Sequence, residues 1–237
     1  MDPREEKMRI REEVWERLVR SGAALPPFPV RGRIPNFRGA DAAARRLVES
    51  EVFRKARVVF CNPDSPQRYV REAVLRHGKT LIMASPRLRE GFLILDPGRV
   101  PEEEYRYAST IRGAFAYGEK VLDSLPRVDL KVAGSVAVDR VGGRVGKGGG
   151  FSDLEYAILR TLNALSDETP IVTTVHDLQV VEKVPMDVHD VPVDYVFTPT
   201  THFKTARAYP RPPGILWERL REEDLREIPV LRILAKR

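Results

Sequence analysis

The sequence predicts an α/β fold, with a mostly parallel sheet covered by helices on both faces. Three observations carry that expectation. Short runs rich in Val, Ile and Phe alternate along the 237 residues with longer amphipathic segments. Runs such as ARVVF and PIVTTV lack the in-out alternation of a half-exposed strand, so both of their faces should be buried. No apolar run approaches the ~20 residues of a membrane span, so these runs belong to a core.

In chain order, a helix is expected over 4–20, where Met8, Ile10, Val14, Trp15, Leu18 and Val19 fall on one side at about 100° per residue. Lys7 and Arg11, one turn apart, land in the middle of that apolar side. Either they snorkel to the rim, or two inward cations require an anion, because an unpaired buried charge is costly. The proline-rich stretch 24–39 forbids helix and should run extended. Within it Arg33, Asn36, Phe37 and Arg38 mix cation, amide and aromatic, which suits a ligand wall or a stiff wrap over the core.

Helices are expected next over 40–54, opened by Gly39 and Ala40, and over 66–77, where Pro66 follows Asp64 and Ser65 as a first-turn proline. Further helices are expected over 111–123, 152–165 and 213–226. Strands are expected over 56–60, 79–84, 91–95, 130–138, 170–175 and 194–199, and residues 1–237 are read as a single domain. Cys61, the one cysteine, closes the apolar run VVFC and should be a buried, inert thiol. The charged N-terminal segment has no signal-peptide core, so a cytoplasmic protein is expected.

The net charge of +6 suits anionic ligands, nucleotides or nucleic acid, although the charges are mostly interspersed. The segment GGRVGKGGGFSD (142–153) gives that charge a focus. Ser152 and Glu155 have the spacing of a capping box, so a helix should open near residue 153. The glycine loop then ends where free N–H groups and the helix dipole attract an anion. Gly146, Gly148, Gly149 and Gly150 allow a backbone cradle, and Arg144 and Lys147 add charge. Neither a P-loop nor the dinucleotide glycine pattern fits, since Gly148 follows Lys147 and the last glycine position falls on Phe151 or Asp153. Asp153 is favourable in a first helical turn with no ligand, and it would also suit magnesium-bound phosphate.

In three places the chain resembles the 5-formyltetrahydrofolate cyclo-ligase family. Lys7 and Arg11 match its basic helix K-x-x-x-R; GGRVGKGGGFSDL matches its loop G-x-R-L-G-x-G-G-G-Y-Y-D-R; PMDVHDVPVDYVFTP matches its closing run P-x-E-x-H-D-x-x-x-D-x-I-x-T-P. The overall look is nearest the divergent, archaeal-type branch that includes methenyltetrahydrofolate-synthetase-domain proteins. The resemblance implies a three-layer α/β/α Rossmann-like fold of the NagB/ribose-isomerase/CoA-transferase type. It implies ATP and Mg²⁺, with closure of 5-formyltetrahydrofolate to 5,10-methenyltetrahydrofolate as ADP and phosphate leave. Carried over singly, Lys7, Arg144 and Lys147 become catalytic. Lys7, Arg11, Arg144, Gly146, Lys147, Gly148, Gly149, Gly150, Phe151 and Ser152 become nucleotide-binding, and Asp153 the metal-side carboxylate. Phe151-Ser152 stands where the family has Tyr-Tyr, Leu154 replaces an arginine, and the family's folate-side G-I-x-E-P segment is missing.

A folate-like small molecule is therefore the expected partner, for a monomer or small homo-oligomer away from membranes. The alternative is a non-catalytic module on the same fold that binds nucleotide or RNA. His176-Asp177 and His189-Asp190 read as polar punctuation at strand ends, with His189-Asp190 shaping the turn before the last strand. Gln179, together with Asp64, Ser65, Gln67 and Arg68, is a further candidate for lining a ligand cleft.

Overall fold

The computed structural model describes residues 2–237. Helix α1 (Pro3–Arg20) starts on the side chain of Asp2, which accepts from the Arg4 N–H, with Pro3 in the first turn. The extended connection carries a short antiparallel pair, β1 (Ala24–Leu25) and β2 (Asn36–Phe37). Helices α2 (Ala40–Val48) and α3 (Glu51–Lys55) lead into β3 (Val58–Cys61), and α4 (Arg68–Arg76) into β4 (Thr80–Ala84). Then follow β5 (Phe92–Leu95), α5 (Tyr105–Ala108), α6 (Ile111–Tyr117), β6 (Glu119–Val121) and β7 (Leu130–Ala133). A hairpin, β8 (Ala137–Val138) with β9 (Arg144–Val145), precedes α7 (Phe151–Thr161) and β10 (Ile171–Thr174). The chain closes with β11 (Tyr195–Phe197), β12 (His202–Lys204), α8 (Glu222–Glu227) and α9 (Pro229–Leu234).

Eight strands form one sheet in the order β12-β11-β10-β7-β3-β4-β5-β6. The five from β11 to β4 are parallel, and antiparallel strands flank them on both sides. Successive strand residues point to opposite faces and so feed two cores. Val59, Cys61, Leu81 and Met83 pack under α2 and α4. Phe60, Ile82, Ala133 and Val196 pack under α7 and α9. This is the three-layer α/β fold. A third cluster seats Ile10, Val14, Trp15 and Leu18 of α1 over the β8–β9 hairpin. Met8 and Val19, expected inside, are 47% and 57% exposed, because the face α1 buries is narrower than its apolar stripe.

Several boundaries differ from the sequence expectation. The helix expected over 40–54 breaks at Glu49–Ser50, where the Ser50 hydroxyl caps α3. The helix expected over 111–123 stops at Gly118, after which the chain turns extended and pairs with β5. The strand expected over 130–138 breaks after Ala133, and its last residues join the hairpin. The segment expected as one helix over 213–226 holds a single turn at 217–219 before α8. No described helix is long and apolar enough to cross a membrane.

Candidate functional site

Strands β3 and β7 are parallel neighbours, and from them the sheet is built outward in opposite directions. In open α/β sheets the carboxyl ends of strands at such a switch point frame a crevice. Here Asn62 to Ser65 follow β3, Gly134 follows β7, and a cleft of about 540 Å³ opens between them. The glycine loop crosses its mouth.

Gly150, in the left-handed region at φ +71°, precedes α7, so the helix opens at Phe151 and not near residue 153. The expected capping box does not form. Both of its side chains are drawn to the sheet instead: Ser152 Oγ donates to Asn62 Oδ1 at 2.9 Å, and Asn62 Nδ2 donates to Glu155 Oε2. The first-turn amides of α7 have no acceptor within the helix and face the loop end where an anion is stabilised.

Arg144 sits in β9, its side chain 2% exposed. Nε donates to the Val191 carbonyl, Nη1 to the Gly134 carbonyl at 2.9 Å, and Nη2 to Asp153 Oδ1 at 2.7 Å. Asp153 Oδ1 also accepts from the Val191 N–H, while among the described residues no donor reaches Oδ2. Lys7 and Arg11 point inward, as the helix periodicity predicts, each 9% exposed. Lys7 pairs with Asp190, whose carboxylate also accepts from the Asp187 N–H at 2.6 Å, so the 187–190 turn is the seat of the Lys7 ammonium. Arg11 Nε donates to the Gly146 carbonyl at 2.7 Å, and burial lowers its pKa. Lys147 is half-exposed, 3.5 Å from Asp64 Oδ1. Four cations thus face three carboxylates around the loop, and among the described residues Arg11 is the one of the four paired with a carbonyl alone.

Sequence reasoning missed a buried cation behind Ser152 and Glu155. Lys131 in β7 is 1% exposed, and its Nζ donates to Ser152 Oγ at 3.2 Å. Desolvation pulls the Lys131 pKa down to about 8 and pushes the nearby Glu155 up to about 7. A lysine inside the apolar run LKVAGSVAV was the available signal, the same kind that marked Lys7 and Arg11.

Other candidates lie elsewhere. Gln179 is buried with its amide committed to the backbone of Ser135, Val136 and His176, so it is a structural cap and not a ligand contact. Arg68 turns away to Glu72, and Gln67 is buried under the cleft with Nε2 on Thr174. Asp64, Ser65 and Arg33 do line the cleft, whereas Phe37 is buried against His176 and Asn36 bonds the Pro26 carbonyl. His176 accepts from the Leu178 N–H and Asp177 from Thr198 and Thr200, which fits the polar punctuation at a strand end expected of that pair.

Residues 3–199 match the family model of the 5-formyltetrahydrofolate cyclo-ligases. The chain is 44% identical over 236 residues to a mouse methenyltetrahydrofolate synthase domain-containing protein, covering 98% of this chain and 63% of the relative. The human protein of that name is 41% identical over 246 residues, with 64% of its length covered. The chain thus spans less than two thirds of these relatives. An Escherichia coli 5-formyltetrahydrofolate cyclo-ligase is 42% identical over 83 residues, 34% of this chain and 42% of that one. The solved structure of Aquifex aeolicus 5,10-methenyltetrahydrofolate synthetase superposes with a TM-score of 0.54 at 22% identity, covering 86% of this chain and 94% of its own, and shares the fold.

Proposed function

The chain belongs to the 5-formyltetrahydrofolate cyclo-ligase family, and from that premise we propose that it is an ATP-dependent cyclo-ligase acting on 5-formyltetrahydrofolate or a close relative. The observation that carries the reading is the convergence of Arg11, Lys147 and the start of α7 on one glycine loop at the mouth of the switch-point cleft, with Lys7 one turn before Arg11 and seated on Asp190.

In such a reaction the γ-phosphate passes to the formyl oxygen, the neighbouring nitrogen closes on the formyl carbon, and phosphate leaves with that oxygen. The protein's part is positioning and charge neutralisation. Lys147 and the loop amides hold phosphate oxygens, while Lys7 and Arg11 close from α1. Arg144 spends three of its five donors on the protein, so its main part is to fix Asp153. Among the described residues no donor reaches Asp153 Oδ2, which suits the one or two carboxylates that magnesium takes beside phosphate. When bound there, Mg²⁺ supplies charge neutralisation across the phosphates. Asn62, Ser152 and Glu155 face the cleft where the folate ring is to lie.

The test follows methenyl product by absorbance, with purified protein, Mg-ATP and 5-formyltetrahydrofolate. Product is expected, and its rate should fall at least tenfold in Lys147→Ala. Absence of product together with absence of ATP binding would overturn the reading.

A further inference from the structure

The glycine loop divides two cavities, and holding phosphate accounts for only one side of it. Gly149, Gly150, Phe151 and Asp153 line both the switch-point cleft and a second cavity of about 460 Å³. One wall of the second cavity is the outer side of α7, with Phe151, Leu154 and Ala157. The facing wall is the segment 212–224, which presents Ile215, Leu216 and Leu220. That segment lies wholly beyond residues 3–199, the part of the chain that matches the family model.

The wall is anchored. The Ile215 N–H donates to Thr161 Oγ1 at 3.0 Å, on the last residue of α7. Arg219 meets Asp187 at 3.2 Å, in the same turn that seats Lys7. Ile228, Val230 and Leu231 then tie the following residues into the main core. The switch-point cleft is the place given to the folate ring above, so the base of a nucleotide held by the same loop falls on the other side of that loop. The second cavity offers the aliphatic faces of Leu154, Ile215, Leu216 and Leu220 and the Phe151 ring, beside a charged rim that includes Arg4, Arg221 and Asp224. It is continuous with Gly148–Gly150, and its size lies within the range of small-ligand sites.

Resting on the phosphate reading above, we infer that segment 212–224 is the outer wall of a nucleobase site. The base of the nucleotide held by the glycine loop lies between Phe151 and Leu154 on one side and Leu216 and Leu220 on the other. A segment outside the family match therefore decides how much of this chain's nucleotide affinity comes from the base and how much from the phosphates.

The experiment compares Mg-ATP with Mg-tripolyphosphate by titration calorimetry on the full chain. Wild type should bind ATP at least tenfold more tightly than tripolyphosphate. Leu216→Trp and Ala157→Leu fill the cavity from opposite walls. Each should bring ATP down toward the tripolyphosphate affinity and leave tripolyphosphate unchanged, which also reports that the loop is folded. Equal affinities in wild type, or variants that lower neither ligand or both alike, would overturn the inference and leave the phosphate site standing. Wild type that binds neither ligand overturns the phosphate reading, and the nucleobase site with it.

Discussion

Arg144 and Asp153 join the hairpin to the helix that opens the site: Nη2 of β9 donates to Oδ1 of α7 at 2.7 Å, with Arg144 almost wholly buried. Removing the guanidinium leaves the Gly134 carbonyl without this donor and Asp153 with only the Val191 N–H on that oxygen. Breaking a buried pair in this way costs about 3–5 kcal/mol. Arg144→Ala should therefore lower the melting temperature by roughly 10 °C. A thermal denaturation curve with an unchanged midpoint would refute the joint.

Lys147 separates binding from stability. Its half-exposed contact with Asp64 is of the class worth about 0–1 kcal/mol. A charge-assisted bond to phosphate is worth about 1.5–3 kcal/mol. Lys147→Ala should weaken Mg-ATP binding by roughly 10- to 100-fold in a titration, with the melting temperature nearly unchanged.

Two glycines near the loop should respond differently to alanine. Gly150 has φ +71° and nothing within 4 Å of the place a methyl would take, so Gly150→Ala costs only the left-handed backbone, about 1–2 kcal/mol. At Gly143 a methyl would run into Asp139 Oδ2, the carboxylate that accepts from the Val184 N–H and, through its other oxygen, from Gly143 and Val141. Urea denaturation should show Gly143→Ala to be the more damaging of the two.

Glu155 and Lys131 predict a pH dependence. Burial raises Glu155 to about 7, so the folded state holds its proton while the unfolded chain releases it near 4.5. This group's contribution to stability therefore falls as pH rises from about 4.5 to 7. Lys131, lowered to about 8, acts in the opposite sense, its contribution rising between about 8 and 10.5. Glu155→Gln should gain on wild type by roughly 1–3 kcal/mol as pH is raised from 4.5 to 7, at about 1.4 kcal/mol per pKa unit. Parallel stability curves for the two proteins over that window would contradict the assignment.

Cys61 is fully buried and its thiol is pushed up to about 12 by desolvation. A thiol reagent at pH 8 should label it only after denaturation, which a timed assay with and without urea reads directly.

The sequence alone determined the strand-helix alternation, the two-sided burial of the central strands, the inward cations of α1 and the glycine loop before α7. These are local properties: periodicity states which face of an element is buried, and Lys7 and Arg11 showed themselves by breaking it. Tertiary structure decided what each inward group meets. Asn62, Lys131 and Glu155 lie far apart in the chain and converge only because β3, β7 and α7 pack together. That convergence also moved the start of α7, since the sheet's polar groups took Ser152 and Glu155 away from the cap. Arg144 likewise reads from its neighbours as a free loop cation, and pairing of β9 with β8 buries it. The wall built by 212–224 is set by long-range contacts with Thr161 and Asp187, which no local pattern encodes.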